Sequence, residues 1–297
     1  PPSPASGRGV RSLEVEGLLP APPTRYFARM PATRLTTKAV EKPWGRTDLW
    51  PGFEHFGGDQ PVGEIWFQGP DGHEADLLVK YLFTSEKLSV QVHPDDAQAR
   101  ARGHPRGKDE AWLILAAAPG TTIALGPNSS LSPEAFRAAI ADWSIADLLD
   151  WRPVRAGDFI YSPAGTVHAI GAGLTVIEVQ QNLDLTYRLF DYGRPRELHV
   201  EEGTAVSILT PFAPPPPPAA PDLLAEGPKF VVERLGPGTR DLTLGERDAV
   251  FVPVKGQGAI DGAPWRAGEC WRLSGAARVA VDAGSDALLA YSGAARV

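Results

Sequence analysis

The chain has 297 residues, 36 acidic and 29 basic, and a net charge of −7. That balance excludes the basic footprint of a nucleic-acid-binding protein, and no apolar run approaches the roughly 20 residues that span a bilayer as a helix. One cysteine, Cys270, excludes an intramolecular disulfide and suits a reducing compartment, while 30 prolines and 31 glycines among short Val/Ile/Leu/Phe runs favour a mainly β fold of one large or two ordinary domains.

Residues 1–29, punctuated by Pro1-Pro-Ser-Pro and Pro20-Ala-Pro-Pro-Thr, carry no sustained period. Recognisable patterning begins at Met30, the only methionine. The first 29 residues are therefore expected to be an extension outside the native fold, with Met30 as the natural start. They lack the apolar core of a secretory leader, and a cytoplasmic protein is expected.

Val40-Glu-Lys-Pro-Trp-Gly45 reads as a turn with an aromatic anchor, and Val62-Gly-Glu-Ile-Trp-Phe67 as a strand. In the apolar run Leu77-Leu-Val-Lys-Tyr-Leu-Phe83, Lys80 either snorkels to solvent or meets an anion or carboxylate in a cavity. Next comes Leu88-Ser-Val-Gln-Val-His-Pro-Asp95. As a strand it sends Leu88, Val90 and Val92 to one face and Ser89, Gln91 and His93 to the other. The polar row fits either a half-exposed strand or the wall of a wet cavity.

Residues 94–109 read as a polar loop. Beyond it Lys108, Glu110, Trp112 and Ile114 alternate with Asp109, Ala111, Leu113 and Leu115, so Lys108 and Glu110 share a face. Glycines bound a strand over Thr121–Leu125. Ser132 as N-cap, Pro133 in the first turn, and Phe136, Ile140, Trp143 and Leu148 at helical spacing predict a helix or helix pair over 132–149, packed on the outside. From Glu178 to Leu189 the alternation is close to strict, with Glu178, Asp184 and Arg188 in one parity. A turn near Gln181–Asp184 limits the shared face to each half. Taken singly, Arg188 reads as an exposed strand residue, Trp112 as packing, His104 and His199 as surface residues, and the Asp191–Arg196 charges as a solvated loop. Pro214–Pro218 is stiff, extended linker. The expected organisation is a metal-binding domain over 30–210, a linker over 211–222, and a small β lobe over 223–297. The histidines are His55, His73, His93, His104, His168 and His199, so that lobe has no histidine metal site.

Gln91, His93, Glu110 and His168 form a candidate metal ligand set. Imidazole and carboxylate without thiolate suit a divalent cation, most often Zn²⁺, with Fe²⁺, Mn²⁺ or Co²⁺ as alternatives. One carboxylate and three neutral ligands leave a net positive Lewis acid. Gly157, Pro163, Gly165 and His168 stand at the spacing of the second cupin motif, with Ala172 where that motif ends in Asn. Gln91, His93, Glu110 and Gly120 resemble the first, with Gln in place of its leading His and a longer spacer. A cupin is a jelly-roll β-barrel whose ligands project inward from neighbouring strands.

Leu88–Asp95, Lys108-Asp-Glu-Ala-Trp, Pro163-Ala-Gly-Thr-Val-His-Ala, Thr186-Tyr-Arg-Leu-Phe-Asp-Tyr, Lys42-Pro-Trp-Gly and Gly63-Glu resemble the type I mannose-6-phosphate isomerase family in its short bacterial form. The likeness covers about residues 35–210, with a fainter echo in the C-terminal lobe. It implies a cupin catalytic lobe with a small helical insertion and a smaller cupin-like C-terminal lobe. It implies one Zn²⁺ on Gln91, His93, Glu110 and His168, and Arg188 as the catalytic arginine. It assigns Lys80, Lys108 and Ser89 to phosphate and sugar, and Glu178 and Asp184 to the active site. The sequence departs at Ile170, where larger relatives carry tyrosine. The implied partner is a small sugar phosphate, with no nucleic acid, membrane or obligate protein partner.

Interconverting an aldose and a ketose moves a proton between C1 and C2 through a cis-enediol(ate). The step needs a base, an acid and stabilisation of an oxyanion. The rival expectations are a metal-dependent cupin oxygenase, which leaves Lys80, Lys108 and Arg188 without a role, and a sugar-phosphate-binding cupin that has lost turnover.

Overall fold

The computed structural model describes residues 32–49, 52–56, 58–70, 75–294 and 296. Residues 1–29 and Met30 lie outside the described residues. In chain order the strands are β1 (Ala32–Arg34), β2 (Thr36–Arg46), β3 (Val62–Gln68), β4 (Leu77–Phe83) and β5 (Val90–Val92). Helix α1 (Asp96–Arg100) precedes β6 (Glu110–Ala117) and β7 (Thr122–Pro127), and α2 (Pro133–Ala141) precedes β8 (Leu149–Pro153), β9 (Phe159–Ser162), β10 (His168–Ile170), β11 (Leu174–Gln181) and β12 (Tyr187–Phe190). After α3 (Val200–Val206) come β13 (Leu223–Glu226), β14 (Phe230–Leu235), β15 (Gly238–Lys255), β16 (Gln257–Ile260), β17 (Ala263–Arg266), β18 (Trp271–Val281) and β19 (Asp286–Ser292).

Among the described residues three antiparallel sheets form. One runs β2-β3-β4-β11-β6-β9 and faces a second, β12-β5-β10-β7-β8; the third, β13-β14-β19-β15-β18-β16-β17, makes the C-terminal lobe. The first two enclose an interior holding Trp44, Leu82, Leu88, Trp112, Ile123 and Leu125. Helices α2 and α3 cover the outer face of the second sheet, packing Phe136, Ile140 and Val206 over Val90, Val92 and Ala169. The outer face of the first sheet supplies Ile65, Phe67, Val79, Tyr81, Leu113 and Ile177 to a core shared with Phe230, Val232, Val250, Val252 and Leu288 of the C-terminal sheet. Both faces of β4 are thus covered, which is why it reads as a near-continuous apolar run rather than an alternation. Period two still divides it: Val79, Tyr81 and Phe83 go to the interlobe core, and Lys80 and Leu82 face the interior. Truncating Ile177 to alanine at this fully buried position is expected to cost about 2–5 kcal/mol in urea unfolding. Metal content should not change, because Ile177 faces away from the interior.

Several sequence expectations shift. The Leu88–His93 stretch is a strand only over Val90–Val92, so Leu88 packs in the interior while Val90 and Val92 lie under the helices. Residues 40–45 are not a turn; they continue β2, and the break shows as register shifts against β3. The polar loop contains α1, closed by a capping box in which Asp95 and Gln98 exchange side-chain bonds with each other's backbone. The helix over 132–149 is α2 followed by a 3₁₀ turn over Ser144–Leu148, with Ser132 capping Ala135 N as expected. β1 crosses to pair with β18, so Ala32–Arg34 belong to the C-terminal sheet although they precede the barrel in sequence. The predicted break holds: Glu178 lies on β11 in the first sheet and Arg188 on β12 in the second.

Candidate metal centre and active-site pocket

Strand register builds the site from two rows that face each other across the interior. In the second sheet Gln91 pairs with His168 on one side and Arg188 on the other. In the first sheet Glu178 pairs with Lys80 and with Trp112, and Gln180 pairs with Glu110. Directly opposed residues project to the same face. His93 follows β5, where its backbone carbonyl accepts from Gly165 N at 2.8 Å and so fixes the turn before His168.

Ligating atoms of His93, Glu110 and His168 lie within 4.8 Å of one another, all buried. His93 Nε2 is 3.3 Å from Glu110 Oε1, and His168 Nε2 is 3.4 Å from Oε2. Each imidazole turns its other nitrogen outward: His93 Nδ1 is 2.9 Å from Leu185 O and His168 Nδ1 is 2.9 Å from Thr166 O. Backbone carbonyls can only accept, so both Nδ1 atoms donate and both Nε2 atoms present a lone pair to the centre. Burial, then the Lys108 charge, push His93 down to about 4 against the pull of Glu110, and burial lowers His168 as well. Burial opposes ionisation of Glu110, but the adjacent Lys108 charge outweighs it and holds the carboxyl well below its ordinary range. Neither Glu110 oxygen has a hydrogen-bond partner of good geometry among the described residues, although Lys108 Nζ lies 2.5 Å from Oε1 as an ion pair. Two neutral imidazoles and a buried, under-satisfied carboxylate form a donor set that fits a divalent cation.

Gln91 stands beside this centre, with Nε2 3.2 Å from His168 Nε2 and Oε1 3.4 Å from Ser89 Oγ. Rotating the amide by half a turn brings the oxygen to the centre and gives Ser89 a donor.

The same interior holds a charge network beside the ligands. Lys80 Nζ lies 3.5 Å from Glu178 Oε1, 4.0 Å from Glu64 Oε2 and 4.4 Å from the Trp66 ring centre. Lys42 approaches Glu64 Oε1 at 3.3 Å, and the Trp66 indole donates to Glu64 Oε2. Lys80 therefore does not snorkel; it meets carboxylates in a cavity. Burial would lower its pKa, but Glu178 and Glu64 raise it overall and keep it charged. Burial and the Glu110 charge push the Glu178 carboxyl up against Lys80. Trp112 packs in the interior as expected and also donates to Glu178 Oε2 at 3.0 Å.

At the mouth, Arg188 Nη1 donates to Glu197 O at 2.8 Å, while its buried Nε has no hydrogen-bond partner among the described residues. His199 is no loose surface residue: its Nδ1 accepts from Arg188 N at 3.2 Å and its own N–H donates to Arg188 O at 2.7 Å. The charges of the Asp191–Arg196 loop are likewise not free in solvent, although Gly193 and Pro195 are exposed. Asp191 is 2% exposed and accepts two bonds from Arg196, at 2.5 and 2.7 Å. Asp184 is exposed at the rim.

Lys80, Ser89, Gln91, Lys108, Glu110, Glu178, Asp184 and Arg188 all line one polar cavity of about 70 Å³, with His93 and His168 against Glu110 at one end. Glu64, Trp66, Lys42 and Arg196, to which the sequence assigned no role in the site, line it too. Parity along Val62–Phe67 puts Glu64 and Trp66 on one face and was the available signal. A larger cavity, about 630 Å³, lies between the proline-rich segment and β8–β9 and touches none of the predicted site residues. The residues expected to carry chemistry line the smaller one.

No family model matches the chain. It is 44% identical to a mannose-6-phosphate isomerase of Streptococcus mutans over 142 residues, 45% of this chain and 43% of that protein. In structure it matches a mannose 6-phosphate isomerase from Bacillus subtilis with a TM-score of 0.73 and 25% identity, covering 88% of this chain and 99% of that one. The chain is similar to mannose-6-phosphate isomerases over about half of its length in sequence and over most of it in structure. A zinc-bound mannose 6-phosphate isomerase structure has the same fold, with a TM-score of 0.61 at 15% identity over 89% of this chain and 100% of that one. The chain spans about half the length of the curated relatives it matches. The jelly-roll cupin architecture expected from the motifs is the architecture of these relatives.

Proposed function

We propose that the chain is a metal-dependent aldose–ketose isomerase that interconverts mannose 6-phosphate and fructose 6-phosphate in the cytoplasm. The ion would be Zn²⁺, held by His93, Glu110 and His168 with Gln91 as the fourth ligand through its flipped amide. The observation that carries the reading is the meeting, in one cavity, of this donor set with Arg188 and the buried Lys80–Glu178 pair. Bound there, a divalent cation supplies Lewis acidity toward the sugar oxygens.

The chain's own residues do the rest. Arg188 Nε is a buried donor awaiting an anion, suited to the planar enediolate or the phosphate. Lys80 and Glu178, 3.5 Å apart, can hold a proton at Nζ or Oε1 within the walls. Lys108 adds a positive charge beside Glu110, and Ser89 a hydroxyl beside Gln91. Lys80 and Lys108 are each engaged by carboxylates, so substrate must compete for them, whereas Arg188 Nε is available. No described helix is long and apolar enough to cross a membrane.

A coupled assay from mannose 6-phosphate to fructose 6-phosphate, before and after chelation, tests the reading. Turnover should fall by at least about 100-fold on metal removal and return with added Zn²⁺. Turnover that survives complete metal removal rejects it, and sugar-phosphate binding without turnover identifies a binding protein instead.

A further inference from the structure

Two hydrogen-bond chains run from the C-terminal lobe to the loop before Glu110: one ends on backbone N–H groups beside Lys108 and Glu110, the other on the Arg106 side chain. Lys229, just before β14, places Nζ 2.7 Å from Asp96 Oδ2. The other oxygen of Asp96 accepts from Gly107 N at 2.8 Å and from Gln181 Nε2 at 3.1 Å. Gln181 Oε1 in turn accepts from Asp109 N at 3.0 Å. One carboxylate therefore connects the C-terminal lobe to the residue before Lys108 and, through Gln181, to the residue before Glu110. The second chain is parallel: Ser292 Oγ donates to Asp76 Oδ2 at 3.1 Å, and Arg106 donates to Asp76 O at 2.7 Å.

The seating of this loop is tight. A Cβ on Gly107 would lie 2.4 Å from the carbonyl carbon of Asp95, so the loop closes onto α1 only with glycine there. Burial works against the Asp96 charge, but Lys229, the Gly107 amide and Gln181 prevail and hold its pKa down at about 2. Asp109 ties the same loop to the other ligand segment. Its carboxylate accepts from Tyr161 OH at 2.6 Å and from Ala164 N at 3.0 Å, and the Tyr161 ring lies 5.1 Å from that of Phe230, next to Lys229 in sequence. An isolated surface ion pair contributes little. This one ends on backbone groups adjacent to a metal ligand, where small displacements change ligand geometry.

We propose that Lys229 is a positioning residue of the metal centre: through Asp96 it fixes the loop that sets Lys108 and Glu110. The C-terminal lobe, which has no histidine, thereby takes part in the site. The turnover arm of the test rests on the isomerase reading; the metal arm does not. Cobalt(II) affinity and visible spectrum, and kcat and KM for mannose 6-phosphate, are measured for the parent, Lys229→Ala, Lys229→Arg, Asp96→Asn and the Lys229→Ala/Asp96→Asn double variant. Lys229→Ala should weaken cobalt binding about 10-fold, alter the spectrum and lower kcat to a similar degree with little change in KM. Lys229→Arg should restore all of these, and the double variant should be no worse than Asp96→Asn, because both act along one path. Parent-like cobalt affinity and kcat in Lys229→Ala, even with a lowered melting temperature, would overturn the proposal. A parent that binds cobalt but turns over no sugar phosphate would sink the isomerase reading, and the affinity comparison would still decide the role of Lys229.

Discussion

Replacing Glu110 by glutamine is expected to weaken metal binding by at least about 100-fold and to remove isomerase turnover with it. Glu110 is the only carboxylate in the donor cluster, and both of its oxygens face imidazole Nε2 atoms at 3.3 and 3.4 Å. An amide offers one neutral oxygen in place of two charged ones, and its NH₂ would point at a lone pair. The change also acts on the fold. Lys108 is 4% exposed and its ammonium sits 2.5 Å from Glu110 Oε1, so the variant leaves a buried cation without its counter-charge. Breaking a buried pair from one side typically costs about 3–5 kcal/mol. Metal analysis and urea unfolding of chelated parent and variant give the two numbers separately. A variant that keeps stoichiometric metal would show that Glu110 is not a ligand.

Arg188→Ala should behave differently: kcat falls about 10²–10³-fold while metal content stays at the parent level. Arg188 neighbours Gln91 in the β12–β5 register but belongs to no part of the donor cluster. Its backbone is pinned by His199 and its Nη1 by Glu197 O, which leaves Nε buried and aimed by the fold rather than by a side-chain partner. A pre-set donor of this kind acts on charge that develops in the reaction and costs no reorganisation when it does. Arg188→Lys should recover little, because an ammonium on a flexible stem lacks the planar fork. Loss of metal in Arg188→Ala, or kcat within about twofold of the parent, would remove Arg188 from the chemistry.

Much of the site was legible because strand parity is a local property. Period two alone put Lys108 with Glu110, and separated Gln91 from Val90 and Val92. The motif spacings selected His93 and His168 from the histidines present. Parity could not say where Leu88 goes, because the strand starts two residues later at Val90 and Leu88 obeys the loop. Nor did it reveal α1, whose capping box lies in a stretch rich in polar and turn-forming residues. Asp191 and His199 look like surface residues by type, and are held only because distant segments fold back over them.

By itself, then, the sequence determined the donor types, their alternation along β5 and β6, the outer helix with its Ser132 cap, and the break between Glu178 and Arg188. The tertiary structure alone decided which charges meet. Lys80 finds Glu178 and Glu64, Lys108 finds Glu110, and Lys229 crosses from the other lobe to Asp96. The physical reason is that side-chain direction follows from backbone period within a strand. Contact across the interior depends instead on how two sheets close and how a second lobe docks, and those distances are set by segments far apart in the chain.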